Sequence, residues 1–538
     1  MDYHLLIVSD LHLSEGRDPS TRKLSPNEDF FFDGEFWRFL RYYRKPRHGR
    51  PWHLLINGDF MDFLQVTKLP DNLAGYRYDR RHPCYGLGCG ERETVFKLGV
   101  IFAGHRDFFL ALADFLARGN RVTIIRGNHD VEFFYPAVQE EFRRLLRAYY
   151  NNWRNKLSEL QEMEPGDVVP EPANLDKPDA IAFRDWFYYE PQQLWVEHGH
   201  QYDANNSFCY LLVPTLPDGA ARQALIELPL GSAFVRYLFN LIETVHPFAD
   251  NIKPVSRFVR WFLTNEPLVA VSFLCGHAGR HFLRRLWRLS RPVGANVHKQ
   301  RQQEHESRWQ QLAQAAGIPR ALLQQLDTQR RRPRWMLTGG RWARLIHYPL
   351  RWVFILLPWL LVALTVYGSA RLLFFLLSPL LPLFHIFEFI PEWLRLSLDI
   401  AAGVVAVGIL LLLVWNAEQA RRAASLLLRR ECRDKARPPN RLVQAAEEIA
   451  AALPVRYVVM GHTHEADLQA IDRHHRQPCR YFNIATWTRV FGEATRQVGE
   501  ESELVFLEIL RDAQGNLTPY LRKWRDGVTP GPFVNLFS

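Results

Sequence analysis

Short apolar runs recur through the N-terminal part of the chain, and each breaks off into polar residues. HLLIV leads into Ser9 and Asp10, HLLI into Asn57, Gly58 and Asp59, VTII into RGNHD, and LWV into EHGH. Aliphatic runs of this length, closed by glycine or acidic residues, predict buried strands. Helical spacing fills the gaps, over residues 29–44, 94–118 and 142–160. The resulting β-α-β-α-β order predicts an α/β fold around a central sheet. The same pattern returns after residue 440. It predicts a helix over 441–453, a strand over 455–460, and further strands near 466–472, 479–485, 503–510 and 518–524. No internal repeat is visible.

The middle of the chain follows a different rule. Residues 216–345 are rich in Arg, Trp and Phe, as in FLRRLWRLS, a pattern suited to basic amphipathic helices at a membrane surface. A helical domain with a basic solvated face is the competing reading. Three apolar runs follow, over 352–369, 372–387 and 400–417; the first and third each hold 18 residues without an acidic or basic group. At a rise of ~1.5 Å per residue, such a helix is about 27 Å long, close to a bilayer core. The middle run holds Pro379, Pro382 and His385 and makes a poorer span. The expected layout is therefore a domain in two parts, 1–215 and 440–538, interrupted by a basic helical insertion (216–345) and a transmembrane hairpin (346–420).

At 538 residues the chain exceeds one compact domain. Its net charge of +10 is unevenly placed. Residues 216–440 carry 30 Lys and Arg against 14 Asp and Glu, and the remainder carries 37 against 43. Anionic lipid attracts each nearby basic residue by ~1 kcal/mol. With apolar spans beside the basic segment, lipid rather than nucleic acid is the expected partner. The six cysteines supply no four-ligand zinc site, and they read as thiols of a reducing compartment. The opening MDYHLLIVSDLHL has no basic start and no long apolar run, so it reads as a strand and not a signal peptide.

The strand exits carry the chemistry. SDLH, NGDFMD, RGNHD, EHGH and GHTH offer Asp10, His12, Asp59, Asn128, His129, Asp130, His198, His462 and His464. If all lay at one edge of one sheet, these groups would converge. Oxygen and imidazole donors without thiolates suit Mn²⁺, Fe, Zn²⁺ or Co²⁺. Seven such side chains suit two ions, and a pair ~3.5–4 Å apart clamps an in-line displacement at phosphorus.

These five motifs resemble those of the calcineurin-like metallophosphoesterases: D-x-H, G-D-x-x-D, G-N-H-D/E, a later histidine and G-H-x-H, in that order. The resemblance covers roughly residues 1–210 and 440–538. It implies a four-layer α-β-β-α sandwich and two divalent ions, with Mn²⁺ the first expectation. It places Asp10, His12 and His464 on the first ion and Asn128, His198 and His462 on the second. Asp59 would bridge the ions, with a hydroxide held between them as nucleophile. His129 would be the proton donor to the leaving oxygen, Asp130 would orient it, and Asp62 and His200 would stand behind the ligands. Motif order and membrane features are similar to the UDP-diacylglucosamine pyrophosphohydrolase branch. This chain departs from that branch in having His129 where arginine is frequent, and in its long insertion.

His198 precedes the apolar runs and His462 and His464 follow them, so a shared metal pair requires an even number of membrane crossings. Arginines crowd both flanks, at 330–334, 341, 344 and 351 and at 421, 422, 429, 430 and 433, whereas the connecting segment holds only Arg371 and Arg395. That bias predicts a multi-pass protein of the inner membrane with its catalytic domain in the cytoplasm. The function expected is hydrolysis of a phosphodiester or pyrophosphate in a lipid-linked substrate. A membrane-tethered enzyme for a soluble nucleotide or phosphoprotein, and a non-catalytic scaffold on the same fold, are the alternatives.

Overall fold

A computed structural model describes residues 3–71, 85–160, 170–217, 224–240, 295–331, 333, 441–471, 478–489, 491–492, 497–498, 504–525 and 529–532. The chain divides into two compact units. One comprises Met1–Val271, Val293–Arg334 and Pro439–Ser538; the other, Ser272–Pro292 with Trp335–Pro438, lies outside the described residues. The three apolar runs lie there too. Among the described residues, no helix is long and apolar enough to cross a membrane.

Strands β1 (His4–Val8), β2 (Trp52–Asn57), β3 (Arg121–Ile125) and β4 (Ile181–Arg184) pair in parallel. Next come β5 (Phe187–Glu190), β6 (Leu194–Glu197) and a small ribbon of β7 (Thr215–Pro217) and β8 (Ala224–Ile226). After the middle segment follow β9 (Tyr457–Met460), β10 (Ala466–Ile471), β11 (Cys479–Ile484), the short pair β12 (Phe491–Gly492) and β13 (Gln497–Val498), then β14 (Val505–Arg511), β15 (Leu517–Arg525) and β16 (Thr529–Pro532). They form a seven-stranded sheet of order β16-β15-β14-β1-β2-β3-β4 and a five-stranded sheet of order β10-β11-β9-β6-β5. The strand exits thus come from two sheets, not one. The chain changes sheet between Arg184 and Phe187, where β4 ends in one sheet and β5 begins in the other.

Both faces of the central strands are apolar, so each sheet needs cover on two sides. The sheets cover each other: Leu5, Ile7, Leu55 and Ile125 of the first share one core with Val196, Val459, Phe482 and Ile484 of the second. On the outer side of the first sheet lie α1 (Asp33–Tyr43), α2 (Glu91–Gly104), α3 (Arg106–Ala117) and α4 (Pro136–Leu160). Phe36 stacks on Phe108, Phe39 meets Phe506 of β14, and Phe142 meets Phe183 of β4. The outer side of the second sheet is covered by α5 (Ala295–Ala316), α6 (Arg320–Thr328) and α7 (Arg441–Ala452). There Trp309, Leu323, Leu442 and Ala446 pack with Trp195, Val458 and Tyr481. The layers run helix, sheet, sheet, helix. Part of the segment read as a basic insertion therefore builds the cover of the second sheet.

The helix expected over 94–118 is two helices, α2 and α3, broken at His105 (φ −117°, ψ 45°). Gly104 approaches the carbonyl of Glu15 so closely that a side chain has no room. His105 then turns inward between Glu28 and Asp33, at 3.1 and 3.0 Å.

Candidate metal centre

The exits of β1, β2, β3, β6 and β9 meet where the two sheets abut. Five of the residues there hold left-handed backbone: Asp10 (φ 53°), His12 (51°), Asp59 (48°), His462 (70°) and His464 (61°). Such conformations cost of order 1–3 kcal/mol each and persist only where the surroundings enforce them. Here the exit loops are knitted together. Asp10 N–H donates to Gly58 O (3.1 Å), His12 N–H to Asp59 O (2.9 Å), Asp62 N–H to Leu13 O (2.8 Å) and Gly461 N–H to His198 O (3.0 Å). Two motif glycines are required for space. A Cβ on Gly58 would lie 2.4 Å from the His198 ring, and one on Gly461 would lie 2.6 Å from Asp10 Oδ2.

The side chains fall into three overlapping buried groups: Asp10 with His12 and His464, Asp59 with His198 and His462, and, between them, His12 with Asp59 and His129. In the first, His464 Nε2 is 3.3 Å from Asp10 Oδ1 and 3.2 Å from His12 Nε2. In the second, His198 Nε2 is 3.1 Å from Asp59 Oδ2. Asp59 Oδ2 also lies 3.8 Å from His12 Nε2, which joins the groups.

Each carboxylate is held by one oxygen and offers the other. Asp10 Oδ2 accepts the His462 N–H (3.0 Å) and lies 2.5 Å from the Ser9 hydroxyl. Asp59 Oδ1 accepts the His129 N–H (2.9 Å). His198 donates Nδ1–H to the Asn57 carbonyl (2.9 Å), so Nε2 is the ring nitrogen that faces Asp59.

Burial pushes Asp10 and Asp59 upward, but His198 and its neighbouring histidines outweigh it and hold both below the ordinary carboxylate range. Burial pulls His198 down; Asp59 and Asp10 overcome this and raise it to about 9. The proton on His198 thus offsets part of the carboxylate charge. A divalent ion provides the same balance by displacing that proton. The fit extends to two further oxygens. Asp10 Oδ1 and Asn128 Oδ1 are buried and accept no hydrogen bond among the described residues, which costs ~1–3 kcal/mol unless a cation satisfies them.

His129 lies beside this pair, its ring edge-on to His12 at 4.6 Å. Its Nδ1 meets Asp62 Oδ2 at 2.5 Å. The orienting carboxylate shown is thus Asp62, where the motif reading expected Asp130. Asp130 instead accepts the N–H groups of Gly127 (2.6 Å) and Phe60 (2.8 Å), tying the β3 exit to the β2 exit. His200 is buried with its ring 5.5 Å from His198, and burial holds its pKa well below the ordinary value. Trp487, just after β11, is core, packed against Phe36 and Phe39, while Thr486 donates to the Asp10 carbonyl (2.6 Å). Sequence reasoning missed Ser9, Asn57 and Glu197. The last accepts from Trp186 (2.6 Å), Gln201 (2.6 Å) and Tyr202 (2.8 Å) and so anchors the loop bearing His198. All three lie inside the motif strings, but nothing in a string says where a side chain turns.

Two sheets sharing a buried histidine–carboxylate centre are consistent with a metallophosphoesterase fold. Residues 3–218 match the model of the calcineurin-like phosphoesterase family. The chain is accordingly an enzyme, a metal-dependent phosphoric ester hydrolase, with clustered ligands for divalent ions. His462 and His464 lie beyond the matched residues, and the fold brings them to the same centre. No curated protein and no solved structure matches the chain.

Proposed function

We propose that this protein is a membrane-embedded, two-metal phosphoesterase that cleaves a phosphodiester or pyrophosphate bond in a lipid-linked substrate. The carrying observation is the pair of buried ligand groups joined through Asp59. In this reading Asp10, His12 and His464 would hold one ion, Asn128, His198 and His462 would hold the other, and Asp59 would serve both. The oxygen-and-imidazole donor set suits Mn²⁺, Fe, Zn²⁺ or Co²⁺, of which Mn²⁺ is the first to test. Bound ions supply Lewis acidity to the phosphoryl oxygens and acidify water. The chain's own residues do the rest. Asp59, Asn57 and Ser9 keep the ligand atoms converged, and burial excludes bulk water. His129 presents Nε2, because Asp62 engages Nδ1, and gives its proton to the departing oxygen.

The lipid-linked substrate and the inner-membrane, cytoplasm-facing placement rest on the apolar runs and their arginine flanks. The proximity of His198 and His462, with ring centroids 5.3 Å apart, supports an even number of crossings between them.

The deciding assay uses the full chain in detergent, stripped of metal. Mn²⁺ or Zn²⁺ is returned and a generic phosphodiester is offered with and without anionic vesicles, beside Asp59→Asn. Metal-dependent turnover, lost in the variant and raised by vesicles, is expected. Turnover indifferent to lipid sinks the lipid reading, and two bound ions without turnover on any phosphoester sinks the hydrolase.

A further inference from the structure

We infer that Asp203 is a positioning residue for the second ion, holding His462 in the ring orientation that binds it. The inference rests on the dinuclear reading of the site above.

Asp203 precedes the long middle segment and His462 follows it. Asp203 Oδ2 nevertheless lies 3.7 Å from His462 Nε2. With Nε2 on the side of that carboxylate, the buried Nδ1 is left for an ion beside Asp59 and His198. An imidazole ligand needs an acceptor for its second N–H, which fixes both tautomer and ring plane. His198 uses the Asn57 carbonyl for this; the second ring nitrogen of His462 faces a carboxylate at ion-pair distance, 3.7 Å.

The carboxylate is itself preset by its own loop. Oδ1 accepts the Asn205 N–H (2.9 Å) and Oδ2 accepts Asn206 Nδ2–H (2.7 Å). The Asp203 carbonyl accepts the N–H groups of Asn206 (3.0 Å) and Ser207 (2.9 Å). Asn206 is wedged against Gly231, where an added Cβ would come within 2.0 Å of its side-chain oxygen. The side chain is 35% exposed, so its removal leaves no buried void.

The test is a metal titration of the stripped full chain with Mn²⁺ and with Zn²⁺, followed by calorimetry, for wild type, Asp203→Ala and Asp203→Asn. Expected for Asp203→Ala is a loss of affinity for one of the two ions of roughly 10–100-fold, the usual scale for such outer partners. Asp203→Asn, which keeps an acceptor but not the charge, falls between. KM for the generic phosphodiester is unchanged once both ions are saturating, and the metal-free melting temperature is that of wild type. Wild-type affinity for both ions in Asp203→Ala overturns the inference, and so does a raised KM with intact metal binding, which would make Asp203 a substrate contact. The titration is read without turnover, so an inactive wild type that binds two ions defeats the hydrolase reading and leaves this one standing.

Discussion

Asp62 and Asp130 are both buried acids beside His129, yet they do different jobs. Burial pushes the Asp62 carboxyl up, but the charge of His129 and the contacts with His12 and His129 outweigh this and hold it low. Asp130 is raised to about 7 by burial and by the neighbouring Asp59, and its oxygens serve backbone N–H groups. His129→Ala should keep both ions and lose roughly 10²–10⁴-fold in kcat, most with poor leaving groups. Asp62→Asn should lose less, since the ring remains but its orientation and proton affinity slacken. Metal content by mass spectrometry, with kcat against leaving-group pKa, checks this; loss of metal in His129→Ala would make it a ligand and not an acid.

Among the elements, the break between α2 and α3 is the one that the helical pattern conceals. His105 sits there between Glu28 and Asp33, and Glu28 also accepts N–H groups from Gly16 (2.6 Å) and Phe30 (2.8 Å), so the ion pair shapes the loop after the SDLH motif. Burial lowers the His105 pKa, but the two acids overcome it and raise it to about 10. The folded value lies above the ordinary 6.5, so the proton on His105 stabilises the fold fully below about pH 6.5. That contribution fades as pH rises toward 10. His105→Gln should destabilise by about 3 kcal/mol, the scale of a broken buried pair. The gap from wild type should be widest at pH 6 and narrow by pH 10. Thermal unfolding across that range measures it, and a gap that widens with pH would contradict the assignment.

For the whole molecule, the centre is assembled from both ends of the chain. Asp10 and Asp59 come from before the apolar runs, and His462 and His464 from after them. If the runs span a membrane, the two ends share a side. Reporters fused at residue 1 and at residue 538 should therefore both read as cytoplasmic. Opposite sides would break the even-crossing argument. Much of this assembly was legible early, because each ligand sits in a short motif at a strand exit, where local sequence is informative. The sheet count was not. The switch from β4 to β5 takes only Asp185 and Trp186, and nothing in those two residues announces a change of sheet.

By itself, the sequence determined which candidate ligands stand at strand exits, the order of the strands that carry them and the uneven placement of charge. Those follow from local pattern: apolar runs that must be buried, glycines where chains must touch, and donor atoms suited to hard cations. Only the tertiary structure decided which carboxylate serves which histidine, that Asp62 and not Asp130 meets His129, that Asp203 reaches His462, and that α5 and α6 cover the second sheet. Each of these is a contact between residues far apart in the chain. Its strength depends on distance and burial in the folded state, which no spacing along the sequence encodes.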